Sequence, residues 1–292
     1  MQKIFLGAAC ALTLFSCQQN DREVGKIIEK ENGLKYEYIT VGEGEMPTDS
    51  LRVLVTKMSV ITEDDSVIYQ TADMMPDLLP VSRMEDRGLF GEGAKMLRKN
   101  DSVRFYIPAK DLFLQTYRVP VPFGIDTAQD LRVTIGVQDM TNDAGAQRMV
   151  AQKNIDAQRQ RFEGFNEQIE KDRALIREYL KENNLEADST GLGIYVVKTQ
   201  DAEGENAQPG ENINVKYEGR LLGETESFDA GSIPITIGMS RVVYGWTEGL
   251  QMFGKGDKGT MYIPSSLGYG EQGSGGVIPP NSILEFDIEV EE

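Results

Sequence analysis

The 292-residue chain contains no histidine, and that alone shortens its catalytic repertoire. Ser-His-Asp nucleophilic catalysis, histidine proton shuttles and His-ligated zinc are all excluded. The two cysteines, Cys10 and Cys17, both lie close to the amino terminus. Aspartate and glutamate are scattered without metal-ligand spacing, so neither a metal nor a cofactor is expected. The carboxy-terminal stretch offers a different chemistry. Tyr217, the pair Phe228-Asp229, the only tryptophan Trp246, Tyr269 and Phe286 sit beside turns, with Ile235, Val242, Val243, Val277 and Ile278 between them. Aromatic and aliphatic groups around one carboxylate and a few phenols can form a water-poor pocket with a small number of directed polar contacts. The same residue types also make plain hydrophobic core.

Two glycine motifs in this stretch point elsewhere and fail on their surroundings. Gly268-Tyr269-Gly270-Glu271-Gln272-Gly273 satisfies G-x-G-x-x-G, but a dinucleotide site needs that loop to open a helix. Ser274-Gly275-Gly276 and then Pro279-Pro280 follow instead. The run from Gly249 to Lys255 nearly makes a P-loop, yet Gly256 stands where a hydroxyl should hold magnesium. Both read as turn glycines in a β-rich domain.

The elements that must position these residues are strands. Periods near two recur in 51–55, 66–69, 103–107, 131–137 and 284–290, with turn residues between them, which predicts antiparallel sheet. An internal repeat underlies the pattern. Gly93-Ala94-Lys95-Met96-Leu97-Arg98-Lys99-Asn100-Asp101 aligns with Gly249-Leu250-Gln251-Met252-Phe253-Gly254-Lys255-Gly256-Asp257. The same offset sets Tyr106-Ile107-Pro108 on Tyr262-Ile263-Pro264, Phe90 on Trp246 and Phe113 on Tyr269. Leu131 to Val137 parallels Leu284 to Val290, Gly33-Leu34 parallels Gly191-Leu192, and Tyr69-Gln70 stands for Phe228-Asp229. The first copy therefore lacks the acidic group.

In their order, Val215 to Gly219, Ser227-Phe228-Asp229, Arg241 to Leu250 around Trp246, Tyr262-Ile263-Pro264, Gly268-Tyr269-Gly270 and Ile278-Pro279-Pro280-Asn281 resemble the FKBP-type peptidyl-prolyl isomerases. The resemblance covers roughly the last third of the chain. It implies an α+β fold, a twisted antiparallel sheet wrapped on a short helix that begins near Gly245. Trp246 would floor the pocket. Tyr217, Phe228, Val242, Val243, Tyr269, Ile278 and Phe286 would wall it, and Ile235 and Val277 would join the substrate-binding set. Asp229 and the Tyr269 hydroxyl would give polar contacts, with the Val243 amide as donor to a substrate carbonyl. By resemblance the catalytic set is Tyr217, Phe228, Asp229, Trp246, Tyr269 and Phe286, and the substrates are proline-containing polypeptides that are unfolded or folding. The short segment between Asp229 and Gly238, and Ser274 where some members carry histidine, depart from the family pattern. The first copy is then a degenerate FKBP-like domain, either a clamp for polypeptide or a scaffold, spacer or dimer surface.

Residues 144–184 lack proline and carry Ile155, Phe162, Ile169 and Ile176 at intervals of seven, with Phe165, Tyr179 and Leu180 flanking. This predicts one long amphipathic helix, weakly interrupted by Gly164 and ~60 Å long at about 1.5 Å per residue. Such a stripe could zip two chains into a homodimer. Gln158 and Asp172 at seam positions weaken that seam, and packing against the chain's own domains is the alternative.

At the amino terminus, Lys3 precedes an apolar run too short to span a bilayer. Its end, Leu14-Phe15-Ser16-Cys17, resembles a bacterial lipoprotein signal, which would make Cys17 the lipidated first mature residue. The expected organisation is a signal peptide at 1–16, a tether at 17–28, a degenerate FKBP-like domain at 29–143, a helical connector at 144–187 and an isomerase domain at 188–292. In fold-class terms these are two FKBP-like twisted antiparallel sheets, each wrapping a short helix, joined by a long α-helix. A net charge of −17 leaves no surplus of Lys and Arg for nucleic acid. The expectation is thus an isomerase assisting exported proteins, anchored by lipid in the outer membrane and facing the periplasm or the cell surface. The alternatives are a non-catalytic envelope chaperone that binds polypeptide and a purely structural envelope component.

Overall fold

Strand alternation places one face of each sheet in a core, as the sequence pattern requires. The computed structural model describes residues 22–72, 76–162 and 167–291. It divides into two units between Asn142 and Asp143.

The first unit contains β1 (Ile27–Glu29), β2 (Lys35–Thr40), β3 (Val53–Ile61), β4 (Val67–Gln70) and β5 (Asp77–Pro80). Helix α1 (Gly88–Lys95) follows, then β6 (Ser102–Pro108), the short turn α2 (Ala109–Asp111) that opens into a wide helical turn at Leu112–Tyr117, and β7 (Asp130–Thr141). Its antiparallel sheet has the order β1-β2-β6-β7-β3-β4, with β5 also paired to β3. The folded part starts earlier than the expected tether allows. Val24 bridges Tyr38, and Arg22 bonds the Gly42 carbonyl at 3.0 Å and the Asp101 carboxylate at 2.5 Å. Those contacts pull the end of the 17–28 stretch onto the sheet. Cys17 and the 1–16 segment lie outside the described residues.

The second unit opens with two helices, α3 (Asp143–Arg159) and α4 (Glu167–Glu182). Then come β8 (Asp188–Ser189), β9 (Tyr195–Gln200), β10 (Asn212–Leu221), β11 (Ser227–Thr236), α5 (Tyr244–Gly249), β12 (Lys258–Ile263) and β13 (Leu284–Val290). The sheet order β8-β9-β12-β13-β10-β11 repeats that of the first unit strand for strand. In both, the short helix lies so close to the sheet that a side chain would collide. A Cβ on Gly93 would sit 2.5 Å from the Phe105 ring, and one on the equivalent Gly249 would sit 2.1 Å from the Met261 sulfur.

A second device recurs with them. Asp101 and Asp257 are both buried. Asp101 accepts the N–H groups of Arg98 and Gly42, each at 2.8 Å, and Asp257 accepts those of Gly254 at 2.8 Å and Ala202 at 2.7 Å. Each follows a residue with positive φ, Asn100 at 69° and Gly256 at 83°. A carboxylate that satisfies two loop N–H groups pins the connection between helix and sheet in each copy.

The structure shifts two of the expected equivalences. Gly193, not Gly191, matches Gly33, because both close the same turn with positive φ before a buried Leu34 or Ile194. In β3, Val60 pairs with both Tyr69 and Val133, as Gly219 pairs with Asp229 and Phe286. Ile68-Tyr69, rather than Tyr69-Gln70, therefore stands at Phe228-Asp229.

The single helix expected over 144–184 is also corrected. A turn at 160–162 ends α3, and α4 begins at Glu167; Gly164 and Phe165 lie outside the described residues. The heptad stripe faces the core of its own unit. Ile155 and Ile169 join the cluster that holds Trp246, and Ile176 and Leu180 pack with Tyr195, Tyr262 and Ile283. Asp172, awkward as a coiled-coil seam residue, is buried and accepts from the Ser265 N–H at 2.7 Å and its hydroxyl at 2.6 Å. Among the described residues, Ile155, Ile169, Ile176 and Leu180 of the stripe are thus packed inside the unit itself.

Candidate active site

Helix α5 is the floor on which the site is built. All six of its residues are buried, which Gly245 and Gly249 permit by replacing side chains where the helix meets β12. Trp246 projects from it onto two aromatic neighbours, one from β10 and one from β13. Its ring centroid lies 5.0 Å from Tyr217 and 5.2 Å from Phe286, in both cases nearly perpendicular. Phe286 stands edge-on to Phe228 at 5.7 Å. Edge-to-face contacts of this kind each contribute about 0.5–1.5 kcal/mol beyond burial, so the four rings hold one another in a fixed arrangement.

The contact between Phe228 and Phe286 depends on Gly219, which in the sequence marks only the end of a strand motif. A Cβ on Gly219 would lie 2.4 Å from Phe286 and 2.9 Å from Phe228. It is the cross-strand partner of both Asp229 and Phe286. A bare glycine between two aromatic positions on adjacent strands was the available signal.

Polar groups stand at the edge of the ring cluster. The Tyr217 hydroxyl donates to Asp229 Oδ2 at 3.0 Å, and Asp229 is exposed. Burial first, and then the proton held against Asp229, push the Tyr217 hydroxyl above its ordinary value near 10. The phenol therefore stays a donor across the neutral range. Tyr269 is 37% exposed, follows the Ser265–Leu267 turn and lies within electrostatic reach of Tyr217. Its hydroxyl has no partner among the described residues, and neither has the Val243 N–H just before α5.

The remaining expected residues divide. Val242 and Val243 are half-buried against the core and line a cleft of about 710 Å³ shared with Ala157 and Gln158 of α3. Ile235 and Ile278 are buried members of that core, whereas Val277 is 62% exposed on the turn closed by Ser274 and Ile278. Val277 thus stands outside the packed set.

Two buried carboxylates, Glu248 of α5 and Asp172 of α4, tie the site to α3 and α4, and neither role is legible in the sequence. Glu248 of α5 receives Arg159 of α3 through 2.8 and 3.0 Å bonds and the Tyr244 hydroxyl at 3.1 Å, while Phe162 stacks on Tyr244 at 5.2 Å. Asp172 ties α4 to the turn that precedes Tyr269. The helices expected as a connector are instead props for α5 and for the turn before Tyr269.

Residues 203–291 match the family described as FKBP-type peptidyl-prolyl cis-trans isomerase. An FK506-binding protein of Neisseria meningitidis serogroup A is 40% identical over 105 residues, 34% of this chain and 95% of that protein. The probable FKBP-type isomerase FkpA of N. meningitidis serogroup B is 38% identical over 125 residues, 41% of this chain and 44% of the relative. FkpA of Escherichia coli is 38% identical over 115 residues, covering 38% and 41%. The chain belongs to the FKBP-type peptidyl-prolyl cis-trans isomerase family. The match spans less than half the length of the two FkpA relatives.

Proposed function

We propose that the carboxy-terminal domain is a peptidyl-prolyl cis-trans isomerase acting on X-Pro bonds in polypeptides. The observation that carries this reading is the ring cluster of Trp246, Tyr217, Phe286 and Phe228 with the Tyr217–Asp229 pair at its open edge. Amide resonance gives the X-Pro bond a rotation barrier of about 18–20 kcal/mol, and the twisted transition state has lost that resonance. An apolar, rigid cavity favours the twisted and less polar form over the planar amide. The free Val243 N–H and Tyr269 hydroxyl are donors for the substrate's carbonyls. No proton moves and no bond breaks, so the absence of histidine is no handicap.

In a protease-coupled assay on a proline tetrapeptide, the wild-type chain should accelerate cis-to-trans conversion, and Asp229→Ala should lower kcat/KM about tenfold or more. A wild-type rate equal to the uncatalysed one would sink the reading.

We further propose that the enzyme is an outer-membrane lipoprotein anchored through Cys17, facing the periplasm or the cell surface, and that its clients are exported proteins. The motive is slow prolyl isomerisation, which limits folding there as elsewhere. Among the described residues no helix is long and apolar enough to cross a membrane; in this reading the attachment is lipid on Cys17. Cys17→Ala should move the protein from the membrane fraction to the soluble one.

A further inference from the structure

The first copy of the fold has lost the aspartate on β4 but not its cavity. A space of about 700 Å³ opens at the position of the carboxy-terminal site, within the range usual for small-ligand pockets. Phe90, buried on α1, occupies the place of Trp246, and Met58 and Ile68 stand for Tyr217 and Phe228. Tyr117 lies over this floor, its ring 6.5 Å from Phe90 and 6.2 Å from Phe113.

The polar groups have been rebuilt from other positions. Tyr69, which occupies the position of Asp229, donates to Asp77 Oδ1 at 2.5 Å, and Thr71 donates to the other oxygen. A tyrosine–carboxylate pair thus stands at the edge of this apolar cavity, as the Tyr217–Asp229 pair stands at the edge of the ring cluster in the second unit, but here both partners come from β4 and β5, the strands that pair with β3. Tyr117 is the free phenol. Its hydroxyl has no partner among the described residues, and burial, with Tyr69 and Asp77 nearby, pushes it up to about 12. One difference is decisive. The Val243 amide is free, but the Arg87 amide at the matching position donates to Met84 at 3.3 Å. In exchange, the Arg87 guanidinium lines the cavity, bonded to the Thr116 carbonyl and with no carboxylate within ion-pair distance among the described residues.

We propose that this cavity is a second polypeptide-binding pocket. It takes a bulky apolar side chain of an extended segment, with the segment's backbone carbonyl on the Arg87 guanidinium. The charge complement is explicit, since an unpaired cation over an apolar floor selects an acceptor-bearing apolar ligand. Without the free amide, the pocket holds polypeptide and does not turn over X-Pro bonds. The chain then carries a holding site and a catalytic site for one polypeptide, and linkage of the two raises the effective local concentration of the second segment. The ligand class rests on the isomerase reading of the carboxy-terminal domain; the existence of the pocket does not.

The test uses the full chain and the peptide Ala-Leu-Pro-Phe with fluorescein on its amino end, titrated by fluorescence anisotropy and calorimetry. Two equivalents should bind per wild-type chain, and Phe228→Arg should leave one. In that background Arg87→Ala should weaken the remaining site at least fivefold, and Ile68→Arg should abolish it. Circular dichroism melts verify that each variant is folded, and Arg87→Ala carries the test where Ile68→Arg is not. One equivalent in the wild type and none in Phe228→Arg would overturn the second pocket while sparing the isomerase reading. Two equivalents that ignore both Arg87→Ala and Ile68→Arg would overturn it as well. Insensitivity to Phe228→Arg alone would instead strike the carboxy-terminal assignment.

Discussion

The Tyr217–Asp229 pair is the only hydrogen bond within the aromatic cluster of the carboxy-terminal site among the described residues, and it fixes the site's polarity. Removing the donor in Tyr217→Phe forfeits one neutral-to-charged bond at an exposed carboxylate, about 1 kcal/mol. We therefore expect a roughly fivefold lower kcat/KM for tetrapeptide isomerisation and an almost unchanged urea midpoint. Trp246→Ala should act differently. Emptying a buried ring position costs about 3–5 kcal/mol, so stability and activity should fall together. Because the chemistry needs no proton transfer, and burial with Asp229 holds the Tyr217 phenol above its ordinary range, the rate should be flat between about pH 6 and 9. A bell-shaped profile would point to an unrecognised acid or base. The site residues were legible in the sequence as types: one tryptophan, tyrosines beside turns, an aspartate after a phenylalanine. Their pairing was not, because the Tyr217–Asp229 bond exists only through the register of β10 and β11.

At the scale of elements, the buried carboxylates act as fasteners. Asp172→Ala leaves the Ser265 N–H and hydroxyl without their acceptor, at about 1–3 kcal/mol. It should also loosen the turn that carries Tyr269, so the urea midpoint and kcat/KM should both fall. A loss of stability with unchanged kcat/KM would mean that α4 supports the fold and not the site. Asp257 fastens the loop between α5 and β12. Burial works against its ionised form, but the N–H groups of Gly254 and Ala202 and the Lys198 ammonium, at 2.9 Å, prevail and hold its carboxyl below the usual value. A carboxyl depressed in the folded state adds stability above its unfolded pKa, near 4, and loses it as pH falls through the lower folded value. Asp257→Asn should therefore lower the urea midpoint at pH 7, and its deficit against wild type should narrow from about pH 4 downward. Neither fastener could be read from the sequence, since an isolated Asp gives no sign of which loop it will reach.

For the whole molecule, the consequential finding is that residues 143–182 belong to the second unit. Ile155, Ile169, Ile176 and Leu180 are buried there. At about 1.5–3 kcal/mol for each fully buried aliphatic side chain, and as an upper estimate, their removal is comparable to the stability of an ordinary domain. A fragment of residues 143–292 should melt cooperatively by circular dichroism. A fragment of 188–292 should melt at least about 10 °C lower, and equal melting temperatures would show the helices to be dispensable.

By itself the sequence determined the residue set and what that set excludes. No histidine, a lone Trp246 and a repeat carrying Asp101 and Asp257 left an apolar pocket as the chemistry to look for, and period-two patterning showed which face of each strand turns inward. Only the tertiary structure decided which residues meet. Periodicity states a face but not a partner, and a slip of one residue in register exchanges neighbours. That is why Tyr69, not Gln70, stands opposite Val60, and why Asp77 and Tyr117 could rebuild a polar edge unseen in the alignment of the two copies. The heptad stripe was equally ambiguous: its apolar face fits a second chain or the chain's own core. Close packing settled it for the core, where Asp172 and Glu248 also found their partners.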